Sequence, residues 1–445
     1  MRIWDWIQHV PELPFWAKYT WLETLLLILG AIILFYLFIF TFTSLGEDHK
    51  PPFTDEKLSL NNLAQFEATL AYTVGSTVDE GESIETLANG NVFMPDLLSE
   101  INNAHQYVYL ANYLWDEGKL NNELFDALIK KVKEGVRVRV LIDGLGGKSI
   151  IGKEKVKELE DAGGKVAVFR PLRWWNINRW DRRSHMRDVV IDGKVGYLGG
   201  KAFTDQWLID GSSPDTWHDY MFKVDGRFAR RLESVFNNIW SQTTGEVLPA
   251  NQIENFGSQS SSKVHFVSLY SSPAPDTSSD MEHFMWLSIM SAKKSIYIEN
   301  PYLLPSKSIK EALIYKSKQG VDVRIITPSL TDAYHVKWAS QSFYSELLRG
   351  GIKIYEYQPS RIHAKVMVVD GVWSVIGSAN LDNRSSRLNL ELVGGTDDPV
   401  LAESLTNHFA EDQKNSKEIT KEDWSKHSIY FTPVRLLSRL FIRQY

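Results

Sequence analysis

Two stretches decide the reading of this chain: His185–Gly200, HMRDVVIDGKVGYLGG, and His363–Asn380, HAKVMVVDGVWSVIGSAN. Both read His-x-basic-x4-Asp-Gly-x5-Gly. Residues i and i+2 of a strand share a face, so His185 with Arg187, and His363 with Lys365, each present an imidazole beside a cation. A single His-x-Lys carries no information. His335-Val336-Lys337 in the same chain has Ser342 where the Asp should stand and no Gly after it. The pair differs because its spacing recurs at equivalent places in a longer repeat.

That repeat extends outward from the motifs. Ala104-x3-Val108-Tyr109-Leu110-x-Asn112 matches Ala292-x3-Ile296-Tyr297-Ile298-x-Asn300. Gly135-Val136-x-Val138-Arg139-Val140 matches Gly320-Val321-x-Val323-Arg324-Ile325, and Gly163-Gly164 matches Gly350-Gly351. Each copy alternates short β-branched runs with helical spacing such as Leu124, Leu128 and Val132. This is βαβ patterning, so each copy is expected to hold a largely parallel or mixed sheet covered by helices. The fold class is α/β: two tandem domains whose halves pack about a pseudo-twofold axis and set equivalent residues face to face.

The composition agrees. A chain of 445 residues accommodates two or three domains, and 43% apolar with 23% charged residues excludes a mainly disordered one. The absence of cysteine removes disulfides, thiol catalysis and Cys-ligated metals. A net charge of −6 argues against duplex binding, and nucleic acid is not an expected partner. Nothing in the sequence sets an oligomeric state.

Leu25 to Phe42, LLLILGAIILFYLFIFTF, carries no charge. As a helix it spans about 27 Å, close to the hydrocarbon thickness of a bilayer. Trp4, Trp6, Trp16 and Trp21 precede it and suit an interfacial belt. The expectation is a cell-membrane protein anchored by one N-terminal transmembrane helix; flanking Lys and Arg balance, leaving the side of the catalytic part open. The expected order is an interfacial segment at 1–20, the transmembrane helix at 21–44, and a linker and lead-in at 45–90. A first domain follows at 91–245, a connection at 246–280, a second domain at 281–412 and a tail at 413–445.

Two imidazoles and two cations suit chemistry on a phosphodiester. A neutral His attacks phosphorus while a protonated one gives its proton to the leaving oxygen. An ordinary His pKa of ~6.5 makes both states accessible near neutral pH. Arg187, Lys365 and Asn380 are the candidate phosphate-binding groups. Asp219 and Glu391, each following its motif by about one strand or hairpin, are the expected acceptors that orient the imidazoles. Asp192 and Asp370 belong to the motif and count as candidate catalytic residues, with a structural role equally open.

At these residues the chain resembles the phospholipase D superfamily, whose signature is His-x-Lys-x4-Asp followed by Gly-Gly/Ser-x-Asn, present twice. The likeness runs from about Val92 to Ala410. Within that superfamily it is similar to bacterial cardiolipin synthases in Ile298-Glu299-Asn300-Pro301-Tyr302, in Asp332–Gly351 and in Ile376–Ser385. The resemblance implies phosphatidyl transfer through a phosphohistidine with no metal and no cofactor, phosphatidylglycerol being the substrate and cardiolipin plus glycerol the products. Carried over, His185 is the nucleophile and His363 the acid and base. The first motif departs from the pattern: Arg187 replaces Lys, and Ala202 stands where Asn should be, which leaves open a reversal of the two roles. The alternatives are a phospholipase D hydrolase, a nuclease of the same superfamily, and a decayed lipid-binding protein.

Two further segments point to a lipid bilayer as partner. An insert before the first motif, Leu172 to Arg183, interleaves Trp174, Trp175 and Trp180 with Arg173, Arg179, Arg182 and Arg183. At the C-terminus Val434, Leu437, Leu440 and Phe441 share one helical face, with Arg435, Arg439 and Arg443 spaced by four.

Overall fold

The computed structural model describes residues 21–43, 52, 54, 58–81, 84–174, 180–249, 264–271, 279–331 and 333–426. The expected interfacial segment 1–20, residues 175–179 of the Arg/Trp insert and the basic C-terminal helix lie outside the described residues. The chain divides into two units, Met1–Asp48 and His49–Tyr445. In the first unit Trp21–Thr43 is a single α-helix. Its side chains are described for residues 23–36, and among the described residues no helix is long and apolar enough to cross a membrane.

The second unit is built on two large sheets and one two-stranded pair, Arg361–Ile362 with Trp217–His218. Its strands are β1 (Val78–Gly81), β2 (Glu85–Ala88), β3 (Tyr107–Asn112), β4 (Arg137–Asp143), β5 (Lys165–Phe169), β6 (Arg187–Ile191), β7 (Val195–Gly199), β8 (Trp217–His218) and β9 (Tyr220–Asp225). The second copy continues with β10 (Val264–Ser271), β11 (Ser295–Glu299), β12 (Asp322–Pro328), β13 (Lys353–Tyr357), β14 (Arg361–Ile362), β15 (Val366–Val369), β16 (Trp373–Gly377), β17 (Glu391–Thr396) and β18 (Ser416–Ile419). The first sheet runs β2-β9-β7-β6-β3-β4-β5. The second runs β10-β17-β16-β15-β11-β12-β13 in the same order, with β1 added at one edge and β18 at the other. The sequence repeat is therefore a repeat of sheet topology. In each copy only the β3/β4/β5 or β11/β12/β13 ladder is parallel, and both sheets are mixed. Edge strand β1 lies in the segment read as a lead-in, and its neighbour β10 lies in the connection, so both segments build the second sheet.

Strands such as Tyr107–Asn112 and Arg187–Ile191 are buried at every position, as expected for strands covered on both faces. Helices Gly90–Asn102, Lys119–Lys133 and Glu154–Asp161 cover the outer face of the first sheet through Leu97, Leu124, Leu128 and Leu159. Helices Asp280–Ser291, Lys307–Lys318 and Tyr334–Arg349 do the same for the second through Phe284, Leu313 and Leu347. The helices that follow β9 and β17, Gly226–Thr244 and Pro399–Lys414, share one apolar layer with the inner faces of both sheets. It includes Phe236, Trp240, Leu405, Phe409, Val190 and Val368. Burying large apolar side chains from both copies in one layer, at about 1.5–3 kcal/mol each, is what holds the copies together.

Candidate active site

The two histidines precede β6 and β15 and are held by backbone bonds that cross between the copies. His185 N–H donates to Leu390 O at 2.9 Å, and Leu390 N–H donates to Arg183 O at 2.8 Å. Reciprocally, His363 N–H donates to His218 O at 2.7 Å and Arg361 N–H to Thr216 O at 3.2 Å, where β14 pairs in parallel with β8. Leu390 and His218 are the residues immediately before Glu391 and Asp219. Each crossing therefore delivers a carboxylate from one copy to an imidazole of the other. His185 Nδ1 lies 3.0 Å from Glu391 Oε1 and 3.1 Å from Oε2. His363 Nδ1 lies 2.7 Å from Asp219 Oδ2. The spacing of each carboxylate after its own motif pointed to these residues, but the partnership runs across the repeat.

Each carboxylate is fixed in turn. Ser378 Oγ–H donates to Glu391 Oε2 at 2.6 Å, Ser385 Oγ–H to Oε1 at 2.8 Å, and Asn389 Nδ2–H to Oε1 at 3.2 Å. Tyr220 N–H donates to Asp219 Oδ1 at 2.8 Å. Nδ1 of each ring is thereby committed as the donor, leaving Nε2 with the lone pair. The motif glycines make the approach possible. Gly199 and Gly377 sit at φ 154° and 147°. A Cβ there would lie 2.5 Å from Tyr220 O and 2.3 Å from Leu392 O, the backbone of the residues that follow the two carboxylates. Gly200 leaves room for the Asp219 carboxylate itself, whose Oδ1 would be 2.4 Å from an added Cβ.

The cations converge. Lys365 Nζ lies 2.8 Å and 3.1 Å from the two ring nitrogens of His363. Arg187 donates to His185 O and lies over the Tyr113 ring at 5.9 Å, and Tyr113 meets the His185 ring edge-on at 5.1 Å. Trp207 and Trp217 stack at 4.5 Å, and both meet His363 edge-on. The electrostatics join the copies. Burial, then Arg187, lowers the His185 pKa to about 4, and Lys365 of the other copy adds to this. Burial, then Lys365, lowers His363 to about 3, with Arg187 of the other copy contributing. Burial brings Lys365 down to about 7. Asp219 falls to about 2 because Lys365 and His363 together outweigh its burial. The expectation that both imidazole states coexist near neutral pH is corrected accordingly: as the groups stand, both rings are neutral.

Other candidates fall elsewhere. Asp192 accepts the N–H groups of His105, Gln106 and Tyr107 at 2.8 Å, and Asp370 those of Lys293, Lys294 and Ser295 at 2.7–2.9 Å. Both occupy left-handed turns, at φ 53° and 55°. At ~3.3 Å per residue each stands about 20 Å along its strand from the histidine. They pin the starts of β3 and β11, in keeping with the structural role left open for them. Asn380 is buried, with Oδ1 lacking a hydrogen-bond partner. His335 of the decoy lies on helix Tyr334–Arg349, outside the site. Sequence reasoning missed Ser378, Ser385 and Asn389 as donors to Glu391, and Lys201, buried next to Ala202 with no hydrogen-bond partner for its Nζ. Lys201 was visible as the residue standing where the second copy has Ala379.

A sequence model of the cardiolipin synthase, PLD-like domain family matches residues 97–240 and 286–413, one stretch in each copy. The chain belongs to this family. It is 33% identical over 396 residues to the major cardiolipin synthase ClsA of Bacillus subtilis, covering 86% of this chain and 81% of that protein. To cardiolipin synthase 2 of Bacillus cereus it is 33% identical over 356 residues, covering 80% and 69%. Among solved structures it resembles a phosphatidylserine synthase from Haemophilus influenzae with TM-score 0.64 at 15% identity, covering 86% of this chain and 98% of that one, a likeness of fold. In the terms of this family, the two PLD-like domains are the two copies, and each supplies one His motif.

Proposed function

We propose that this chain is a phosphatidyltransferase that joins two phosphatidylglycerol molecules into cardiolipin and glycerol through a phosphohistidine. The observation that carries the reading is the reciprocal pairing of two imidazoles with two buried carboxylates, with one cation from each copy beside them. Relatives named cardiolipin synthase, matching more than two thirds of their own length, support the substrate class.

His185 Nε2 attacks phosphorus while Glu391 stabilises the ring as it becomes cationic. The bond from phosphorus to the glycerol headgroup oxygen breaks, and His363 gives that oxygen a proton. The hydroxyl of a second phosphatidylglycerol then gives its proton back to His363 and displaces His185. Arg187, Lys365 and Asn380 face the nonbridging oxygens. His363 takes its proton from solvent when the substrate binds. A phosphodiester anion ~4 Å from the ring, at an effective dielectric of about 20, is worth about 4 kcal/mol, or about three pKa units. That lifts a ring near 3 into the range where it serves as a general acid.

Equivalent groups of the two copies face each other about a pseudo-twofold axis. Trp21–Thr43 serves as a membrane anchor, and the exposed Leu172, Trp174 and Trp180 of the Arg/Trp insert meet the bilayer. Arg384 Nη2–H donates to Asp181 O at 2.7 Å, tying the insert to the second copy close to His185. The test is expression of the full chain in cells that lack cardiolipin, followed by lipid analysis. Cardiolipin is expected with the wild type and absent with His363→Ala. Phosphatidic acid in its place would assign water as the acceptor, and no lipid change would refute the enzyme.

A further inference from the structure

Three side chains that the transfer chemistry does not use meet between the sheets. They are His218 at the end of β8, Glu299 at the end of β11 and Asp412 on helix Pro399–Lys414. All three are buried, and one ligand atom from each lies within 4.8 Å of the others. Hydrogen-bond partners fix the histidine tautomer. Asn89 Nδ2–H donates to Asp210 O at 2.6 Å, and Asn89 Oδ1 accepts the Asp219 N–H at 3.2 Å. With Oδ1 set as an acceptor, His218 Nδ1, 2.9 Å away, carries the proton. His218 Nε2 then faces Asp412 Oδ2 at 2.8 Å. The Tyr220 hydroxyl donates to Asp412 Oδ2 at 3.0 Å and its oxygen lies 3.2 Å from His218 Nε2. A bare nitrogen lone pair and a carboxylate oxygen repel at that separation unless a positive charge joins them.

Glu299 is the independent observation. It is 1% exposed, and neither of its oxygens has a hydrogen-bond partner. Its carboxylate sits beside Asp412 and the Tyr220 hydroxyl. Among the described residues no Lys or Arg forms an ion pair with Glu299 or Asp412.

We propose that His218 Nε2, Asp412 and Glu299 bind one divalent transition-metal ion of the zinc class, in a structural site that joins the two copies. Two carboxylates and a neutral imidazole balance its charge. One nitrogen with carboxylate oxygens suits zinc-class ions rather than the all-oxygen, hydrated preference of magnesium or calcium. The Asn89 acceptor on Nδ1–H is the outer contact that a metal-bound histidine requires. The ion takes no part in phosphatidyl transfer. It ties β8 of the first copy to β11 and helix Pro399–Lys414 of the second, beside the His218 carbonyl that accepts the His363 N–H and next to Asp219. It would be a metal that the sequence reading did not expect.

The test uses the full chain in detergent, loaded with zinc chloride and freed of excess, with metal content measured by mass spectrometry. About one zinc per chain is expected in the wild type, with occupancy falling at least tenfold in Glu299→Gln and His218→Asn. Glu67→Gln, in the separate cluster of buried Glu67 with half-buried His265 and Asp397, is expected to keep it. Cobalt(II) should give a visible ligand-field spectrum that Glu299→Gln abolishes, and zinc should raise the melting temperature of the wild type but not of that near-isosteric variant. Equal zinc in wild type and Glu299→Gln, or a wild-type melting temperature indifferent to zinc and chelator, would overturn the site. That outcome would assign the positive charge to an imidazolium paired with Asp412.

Discussion

Glu391→Gln tests the crossed partnership most directly. Glu391 is fully buried, with its oxygens 3.0 Å and 3.1 Å from His185 Nδ1. An amide oxygen in its place still accepts the Nδ1–H, and Ser378, Ser385 and Asn389 remain to hold the side chain. What disappears is the negative charge facing a ring that turns cationic on phosphorylation. With charge centres ~5 Å apart and an effective dielectric of about 20, that charge is worth about 3 kcal/mol, or roughly 10²-fold in rate. Rapid-quench measurement with headgroup-labelled phosphatidylglycerol in mixed micelles should therefore show glycerol release, and with it phosphohistidine formation, slowed about 100-fold. The melting temperature should stay close to wild type. Glu391 also raises the His185 pKa against burial and Arg187, so the acid limb of kcat/KM should move to lower pH in the variant. A slowing of less than about fivefold would refute the charge argument. Phosphate trapped on His363 instead of His185 would reverse the two roles.

Asp192→Ala removes the acceptor of three N–H groups at the start of β3, so it should cost about 2–4 kcal/mol in urea unfolding while leaving turnover per folded molecule unchanged. Gly377→Ala forces a Cβ to within 2.3 Å of Leu392 O at a φ of 147°, and should cost at least about 2 kcal/mol and displace the strand that begins with Glu391, lowering both stability and activity. Stability should also fall with acid through His185. Its pKa is 6.5 when unfolded and about 4 when folded, so the unfolded chain binds the proton first. The stabilisation is present above pH 6.5 and is lost as pH falls towards 4, by about 3 kcal/mol in all. His185→Asn should remove that part of the pH dependence in unfolding curves compared at pH 7 and pH 4.5.

The duplicated fold was legible because its signals are local. The Ala104/Ala292 and Gly135/Gly320 matches fall on β3/β11 and on the turns into β4/β12, where the sheet topologies coincide. The motif histidines and cations were legible for the same reason. The crossing was not, because no spacing within one copy records that Leu390 pairs with Ser184 or that Ile362 pairs with His218. The depressed histidine pKa values were equally hidden, since they arise from burial and from cations brought in by the other copy. Asp192 and Asp370 could be read either way from the sequence, because a residue that anchors a turn recurs as faithfully as one that does chemistry.

The exchange of carboxylates has a consequence for how such a molecule could be divided. Expressed as separate polypeptides, the two repeats would each hold an imidazole with nothing to orient it and an acid with nothing to serve. Mixing them should restore both dyads together or neither. A lesion in one repeat is then felt at the histidine of its sibling.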